Sequence, residues 1–230
     1  MLRLGALLTA FLITLAAPLS AQDRPVLVEL FTSQGCSSCP PADAFLHELA
    51  KRDDVIALAL HVDYWDYIGW KDSFAKPEYT ARQRAYAKVS NRRMVYTPQM
   101  IINGTDHVVG TRPMDVKDLI KKHRGDVAQV TLTAQEHQGK LKISASAAAG
   151  GKATVRLFRY RPEETVAIKR GENAGRSISY SHIVTSVTVV ADWDMRQPLD
   201  IEVPLNGDLP AVVVIQRNSF GPVEAVARVD

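Results

Sequence analysis

The sequence predicts an α/β domain followed by an all-β, sandwich-like domain, on three observations. The first half alternates apolar, strand-like segments with amphipathic helical segments, which is typical of an α/β fold. Helical spacing ends near position 125, and short segments of alternating polarity follow it. The two cysteines of the chain, Cys36 and Cys39, lie where the first predicted strand meets the first predicted helix.

Residues 1–21 are predicted to be a signal peptide. They carry one positive charge, Arg3, followed by an apolar run and small residues that end at Ala21. A membrane anchor is the alternative, but the apolar run is short for a bilayer span and Pro18 interrupts its end. We therefore expect an exported protein, periplasmic or secreted, with no stable membrane span after signal cleavage.

The composition argues against a nucleic-acid partner. The chain has 230 residues and a formal net charge of +3, and it contains no basic run interleaved with aromatic residues. An exported location permits disulfides. One pair of cysteines with C-x-x-C spacing fits redox chemistry better than a disulfide scaffold.

The predicted first domain covers residues 22–125 and has the element order β-α-β-α-β-β-α. Its second strand is a continuous apolar run, as in strands buried in a parallel sheet. Two such strands joined by a helix form a right-handed βαβ unit, and Asn103-Gly104 predicts a hairpin turn. The predicted segments are strand 25–31, helix 40–50, strand 55–63, helix 77–90, strand 99–102, strand 107–109 and a helix after Pro113.

The predicted second domain covers residues 126–230. Its segments alternate with period two and are separated by turn residues such as Gly150-Gly151 and Asn206-Gly207, a pattern that indicates a β-sandwich. The predicted strands lie near 129–133, 140–145, 153–160, 166–169, 177–190, 199–203, 211–216 and 223–229.

The cysteine pair carries the predicted chemistry. The first turn of a helix has free backbone N–H groups and the positive end of the helix dipole. A thiolate there is stabilised, so its pKa falls and it becomes available as a nucleophile. We expect Cys36 to attack, because it is nearer the exposed helix start, and Cys39 to resolve the resulting mixed disulfide.

Other interpretations of the pair stay open. It fits a static disulfide, and with a nearby histidine it also fits a copper-binding thiol site. A zinc site needs about four ligands, and the chain has no second cysteine pair. We therefore expect no bound metal, and thiol exchange requires no dissociable cofactor.

Two motifs together resemble the thioredoxin fold. Cys36-Ser37-Ser38-Cys39-Pro40 follows a strand, and Thr97-Pro98 precedes the predicted hairpin. The resemblance implies a cis Pro98 against the cysteine pair, with Thr97 offering its backbone to an extended substrate strand. Thioredoxins carry Trp-Cys-Gly-Pro-Cys, whereas Gly35 precedes Cys36 here and two serines separate the cysteines. The direction of electron flow therefore stays open.

The chain more narrowly resembles the DUF1223 family of exported thioredoxin-like proteins, whose function is not established. Three segments carry this resemblance: 29–43 around the cysteines, His61-Val62-Asp63-Tyr64-Trp65-Asp66, and the loop 170–176. The resemblance extends over most of the mature chain. The resemblance adds little about the substrate.

Three further groups of residues are candidates for the site. Tyr64 and Trp65 begin an aromatic loop, which is either a platform for a polypeptide substrate or a packed cap over the sheet. His61 and Asp63 lie two apart on one face of a strand, where they would form a proton relay, a metal ligand pair or structural hydrogen bonds. Glu172 and Arg176 belong to a charged loop that either reaches over the cysteines or forms an ordinary hairpin.

The sequence thus predicts an α/β thioredoxin-like domain followed by an all-β sandwich-like domain, acting as a thiol-disulfide oxidoreductase. Its expected partners are protein or small-molecule thiols and disulfides, together with a redox partner. The alternatives are a non-catalytic binding module with a structural disulfide and a thiol-based copper-handling protein.

Overall fold

The structure, a computed structural model, describes residues 24–229. It has a mixed α/β fold with one eight-stranded sheet and one three-stranded sheet. The predicted signal peptide, residues 1–21, lies outside the described residues. Among residues 24–229, no helix combines the length and the apolar character that crossing a bilayer requires.

Each α-helix of the described chain begins at a proline. Proline suits this position because its φ is already helical and its missing N–H would have no partner in the first turn. The helices are α1 (Pro40–Ala50), α2 (Pro77–Val89) and α3 (Pro113–Arg124), with a short 3₁₀ turn at Asp66–Ile68.

The strands follow the predicted segments closely, with one merger. They are β1 (Val26–Thr32), β2 (Val55–His61), β3 (Gln99–Ile102), β4 (Asp106–Val109), β5 (Val130–His137), β6 (Lys140–Ala147), β7 (Ala153–Ala167), β8 (Ser177–Trp193), β9 (Leu199–Pro204), β10 (Ala211–Arg217) and β11 (Val223–Arg228). The segments predicted near 153–160 and 166–169 form the single strand β7, because β7 pairs with β8 on both sides of Pro162. Proline lacks an N–H donor, and Pro162 itself has no partner in this ladder.

The large sheet runs across the predicted domain boundary at 125/126. Its strand order is β11-β10-β7-β8-β2-β1-β3-β4. Strands β1 and β2 are parallel, β3 and β4 continue the sheet in antiparallel pairing, and β8 joins β2 in parallel at Ala59 and Ile183. The two predicted regions are therefore not separate sheets: the second half extends the sheet that the first half begins. Sequence periodicity identifies strands but does not specify which distant strand pairs with β2.

The core has three main layers of packing. Helices α1 and α3 cover one face of the large sheet in a cluster that includes Val28, whereas α2 contributes Tyr79 and Tyr86 to a cluster with Leu27 on the other face. A third cluster joins the three-stranded sheet β5-β6-β9 to β7, β10 and β11. The second half thus forms two packed β layers, one of which belongs to the large sheet.

A buried ion pair connects the central strand, α2 and the second half of the chain. Glu29 of β1 is fully buried, and Arg82 of α2 donates to both of its carboxylate oxygens, at 2.7 and 3.0 Å. Tyr86 also donates to Glu29, and Gln216 of β10 donates to the Tyr86 hydroxyl at 2.8 Å. Arg82 stacks over Phe158, with its guanidinium carbon 5.1 Å from the ring centroid. A buried carboxylate requires such partners, because leaving it unpaired is costly.

The substitution Arg82→Met tests this connection. It leaves the Glu29 carboxylate buried without its cation, so we expect the free energy of unfolding to fall by about 3–5 kcal/mol. Urea denaturation of the oxidised protein measures the change. The exposed neighbour Arg84 provides the control, and Arg84→Met should change the free energy by less than about 0.5 kcal/mol. The double variant Glu29→Gln/Arg82→Met should recover part of the loss; equal losses for Arg82→Met and Arg84→Met would contradict the assignment.

Candidate functional site

Cys36 and Cys39 form a disulfide at the start of α1. Their Cα atoms are 5.4 Å apart, and Cys39 occupies the N-cap position of the helix. The Cys39 carbonyl accepts hydrogen bonds from the backbone N–H groups of Ala42 and Asp43, at 2.8 and 3.1 Å. The predicted strand-to-helix position of the pair is thus confirmed. Both residues are buried, with Cys36 only 3% exposed and Cys39 0% exposed.

The Thr97–Pro98 peptide bond is cis, and Pro98 lies beside the first turn of α1. Gly110 marks this close approach. A Cβ atom on Gly110 would come within 3.0 Å of the Ala42 Cβ and 3.2 Å of the Pro98 Cβ. Real Cβ atoms rarely make contacts this short, so glycine allows Pro98 and α1 to pack closely.

The aromatic loop adjoins both the cysteine loop and Thr97. A Cβ atom on Gly35 would lie 3.3 Å from the Trp65 carbonyl oxygen and 3.4 Å from the Trp65 Cβ. The Trp65 indole donates to the Thr97 hydroxyl at 2.8 Å, and the Tyr64 hydroxyl donates to Gln83 of α2 at 3.2 Å. Trp65 therefore lies against Gly35 and hydrogen-bonds Thr97, the residue before Pro98, while Tyr64 connects the aromatic loop to α2.

The loop between β7 and β8, residues 168–176, reaches the cysteine loop through Asn173. The buried Asn173 amide donates to the carbonyl oxygens of Gln34 and Cys36, at 2.9 and 3.0 Å. Arg176 donates to the Asn173 side-chain oxygen at 3.0 Å. Glu172 is exposed and makes no hydrogen bond or ion pair within residues 24–229. The loop thus contacts the cysteine loop, which was one of the two alternatives, but the contact is made by Asn173, which the sequence analysis did not single out.

Gln34 anchors the cysteine loop to the aromatic loop. Its backbone N–H donates to the Asp72 carboxylate at 2.7 Å, and its side-chain oxygen accepts from the Trp70 indole at 2.8 Å. Gly171 of the β7–β8 loop packs against Trp70: a Cβ atom there would lie 3.2 Å from the Trp70 Cβ, and its φ of +77° favours glycine. Two loops distant in sequence, the aromatic loop and the β7–β8 loop, therefore hold Gln34 at the start of the cysteine loop.

His61 is fully buried and pairs with Asp72 rather than acting with Asp63. Its Nδ1 lies 2.7 Å from Asp72 Oδ2, whereas Asp63 accepts a hydrogen bond from Thr80 at 2.5 Å. Burial alone would raise the pKa of Asp72, but His61 and the backbone N–H groups of Gln34 and Phe74 hold that pKa below its usual value. The structure thus gives His61 and Asp63 different partners. Spacing of two along a strand did not reveal Asp72, which comes from a later loop.

Asp43 is a second buried acid, one helical turn after Cys39. Its Oδ1 accepts a hydrogen bond from Thr32 at 2.8 Å, and its Oδ2 has no hydrogen-bond partner. Burial raises the pKa of Asp43 to about 7, against the opposing influence of His61 and Thr32. An acid in the first turn of a helix is usually a solvated partner of the helix dipole, so nothing in the local sequence indicates that Asp43 is buried.

Unpartnered polar atoms concentrate behind the disulfide. Among residues 24–229, four buried side-chain nitrogen or oxygen atoms lack a hydrogen-bond partner, and three of them belong to Asp43, His61 and Tyr180. The His61 and Tyr180 rings meet edge to face with centroids 5.0 Å apart. Burial is the main cause that raises the pKa of Tyr180, and the negative charges of Asp43 and Asp72 raise it further. Such atoms are costly to bury without a partner, so this cluster is chemically distinct from the apolar core around it.

Among residues 24–229, no group of three or more His, Cys, Asp and Glu side chains is arranged to hold a metal ion. The titratable groups near the first turn of α1 are two carboxyls, Asp43 and Asp72, the His61 imidazole and the Tyr180 phenol.

Comparison with known proteins assigns the chain to a family. The profile of the family described as "Protein of unknown function (DUF1223)" matches residues 27–216, which include the cysteines, the aromatic loop and the β7–β8 loop. The chain belongs to the DUF1223 family. It is also similar to a protein from Agrobacterium tumefaciens of known crystal structure, with 35% sequence identity and a TM-score of 0.77. That similarity covers 88% of this chain and 92% of the other. No curated protein matches the chain.

Asn173→Ala tests how the β7–β8 loop holds the cysteine loop of this DUF1223 protein. The change removes the Asn173 donor from the buried Gln34 carbonyl, whereas the Cys36 carbonyl keeps the backbone N–H of Cys39 at 3.2 Å. We expect the free energy of unfolding to fall by about 1–3 kcal/mol. We also expect dithiothreitol to reduce the disulfide severalfold faster, because the cover over Cys36 loosens. Glu172→Ala, an exposed change in the same loop, should leave both quantities unchanged. Reduction at the wild-type rate in Asn173→Ala would show that the contact does not protect Cys36.

Asp43→Asn tests the buried acid through the pH dependence of stability. An unfolded Asp ionises near pH 3.9, whereas the folded pKa of Asp43 is about 7. The native state therefore holds an extra proton between these values, and stability falls as pH rises from about 4 to 7. The Asn side chain does not titrate, so the substitution removes this fall in stability. Its side-chain oxygen still accepts the hydrogen bond from Thr32. The oxidised variant should exceed the wild type at pH 8 by up to about 4 kcal/mol in urea denaturation.

The exposed acid Asp118 of α3 is the control for this experiment. Asp118→Asn should reproduce the wild-type dependence of stability on pH. Equal dependence of stability on pH in the wild type and in Asp43→Asn would rule out a raised pKa at Asp43.

Proposed function

We propose that this protein is an exported thiol-disulfide oxidoreductase with a thioredoxin-like domain, in which Cys36 and Cys39 are the redox pair. The observation that carries the proposal is the position of the disulfide. It lies in the first turn of α1, beside cis Pro98 and one helical turn before the buried acid Asp43.

The topology around the pair supports this proposal. Strands β1 and β2 are parallel and joined by α1, and β3 pairs antiparallel with β1 and then with β4. Cis Pro98 comes directly before β3, which brings it to the end of β1 where the cysteine loop begins. A thioredoxin-like domain has this arrangement, with an edge on which an extended substrate chain lies against the redox pair.

In the reducing direction, the reaction would proceed in two exchanges. The Cys36 thiolate attacks one sulfur of a substrate disulfide, forms a mixed disulfide and releases the other substrate sulfur as a thiolate. The Cys39 thiolate then attacks the Cys36 sulfur and releases the second substrate thiolate. The protein finishes oxidised and the substrate reduced by two electrons. An oxidant follows the same steps in reverse.

Asp43 is suited to accept the proton that Cys39 must lose. Groups one helical turn apart lie on the same face of a helix, and both Asp43 and Cys39 are buried. A pKa of about 7 allows Asp43 to take and return a proton near neutral pH. His61 and Asp72 both act electrostatically on Asp43. Asp43 therefore belongs to a group of coupled side chains rather than acting alone.

A non-catalytic binding module is the second candidate, and one observation favours it. Cys36 is only 3% exposed in the oxidised protein, and Asn173 holds its carbonyl. An incoming thiolate has little access to a sulfur covered in this way. If the disulfide is a structural staple, the aromatic loop would be the binding surface and the cysteines would not react.

The reduction potential of the pair separates the two candidates. Equilibration in a glutathione series should give a value between about −270 and −120 mV for an oxidoreductase, with Cys36 ionising below about 8.5. A potential below about −300 mV with an unreactive disulfide would instead support the module.

Single cysteine variants assign the roles. Cys39→Ser should accumulate a mixed disulfide with a model disulfide peptide, because nothing resolves it. Cys36→Ser should accumulate little. Equal accumulation in the two variants would contradict the proposed order of attack.

A further inference from the structure

One long segment of the chain contains cations and no acids. Residues 79–105, between Glu78 and Asp106, include no Asp or Glu. The five cations in this segment are Arg82, Arg84, Lys88, Arg92 and Arg93. Arg82 is buried against Glu29, and the other four are exposed. With a net charge of only +3 over the whole chain, this local excess does not reflect general basicity.

The four exposed cations line one depression, which we call the basic groove. Its volume is about 600 Å³, and it is lined by Arg84, Lys88, Arg92, Arg93, Met94 and Val95 among others. Among residues 24–229, no carboxylate lies within ion-pair distance of any of these four cations. Met94, 79% exposed, adds an apolar side chain to the groove.

The fold alone does not explain this concentration of charge. Arg84 and Lys88 are four residues apart on α2, a spacing at which like charges destabilise a helix. The helix dipole favours a cation in the last turn, which accounts for Lys88 but not for Arg92 and Arg93 beyond the helix end. The pKa of His107 is lowered mainly by burial, and the positive charge of Arg92 in the basic groove lowers it further.

Two sets of contacts connect the basic groove with residues of the disulfide site. Tyr64 donates to Gln83, the residue beside Arg84, and the charge of Arg84 acts on the Tyr64 hydroxyl. At the other end, Val95 lies two residues before Thr97, whose hydroxyl accepts from Trp65. Tyr64 and Trp65, which make these two sets of contacts, both belong to the aromatic loop, and Trp65 lies against Gly35 beside Cys36.

We infer that the basic groove binds an acidic segment of the polypeptide whose thiol or disulfide reacts at Cys36. This inference rests on the proposed function and names its substrate class. The carboxylates of the segment would pair with Arg84, Lys88, Arg92 and Arg93, and an apolar side chain would contact Met94. A cysteine near that segment would then lie over the aromatic loop, close to the redox pair.

Two matched peptides test the inference. Each carries one cysteine as a mixed disulfide with 5-thio-2-nitrobenzoate, followed by a Gly-Ser spacer and a run of Glu in one peptide or Gln in the other. The Cys36 thiolate of the reduced protein attacks the peptide sulfur and displaces the coloured thiolate, and Cys39 then releases the peptide thiol. Absorbance therefore reports the rate with either peptide.

We expect the Glu peptide to react roughly threefold to thirtyfold faster at low ionic strength. The preference should disappear near 1 M salt, where charges are screened beyond about 3 Å. Arg92→Gln/Arg93→Gln should lose most of the preference and keep the rate with the Gln peptide. The matched control is Lys117→Gln/Lys121→Gln, which removes the same charge from exposed positions of α3, on the opposite face of the sheet.

Each other outcome overturns the inference in a distinguishable way. Equal rates with the two peptides leave the oxidoreductase proposal standing and remove the basic groove from it. No reaction with either peptide removes both. Loss of the preference in the Lys117/Lys121 control assigns it to net charge. Binding to anionic phosphatidylglycerol vesicles that requires Arg92 and Arg93, without a peptide preference, assigns the groove to a membrane surface.

Discussion

The buried carboxylate of Glu29 constrains much of this structure. It lies on the central strand β1, fully excluded from water, and such a group is tolerated only with a cation and further hydrogen bonds. Arg82 and Tyr86 supply them from α2, and Gln216 extends the network to β10. One polar network therefore fixes the helix that carries the basic groove against strands from both halves of the chain. Apolar contacts alone would allow the helix and the strands to shift against one another. The hydrogen bonds of the Glu29 network form in only one relative position of these elements.

The candidate site is shared between the two halves for a related reason. The cysteine loop has backbone carbonyl groups that turn into the protein, and buried carbonyls need donors. The first half supplies the contacts of Gln34 with Asp72 and Trp70, and the second half supplies Asn173. The single parallel contact of β8 with β2 brings the β7–β8 hairpin to this edge. The second half thus completes the site as well as extending the sheet.

The cluster behind the disulfide departs from the rule that buried polar atoms are satisfied. Asp43, His61 and Tyr180 each leave one atom unpartnered, and Asp43 keeps a proton to about pH 7. Such groups reduce stability, and they persist where proton transfer is useful. Asp43 lies one helical turn after Cys39 of the disulfide, while the exposed cations of the basic groove are connected to the aromatic loop through Tyr64 and Gln83. Under the proposed function, chemistry and partner recognition would therefore lie on either side of the aromatic loop.

The sequence by itself determined the local elements and the reactive motif. Periodicity, prolines and turn residues located nearly every helix and strand, and C-x-x-C after a strand placed Cys36 and Cys39 at a helix start, because these signals act between near neighbours. Only the tertiary structure decided that β8 joins β2, that His61 pairs with Asp72 rather than Asp63, and that Asn173 covers the cysteine loop. Each of these depends on which surfaces meet across long stretches of chain. Burial of Asp43 belongs with them, since the same residue in the same first turn would be an ordinary solvated acid if no hairpin covered it.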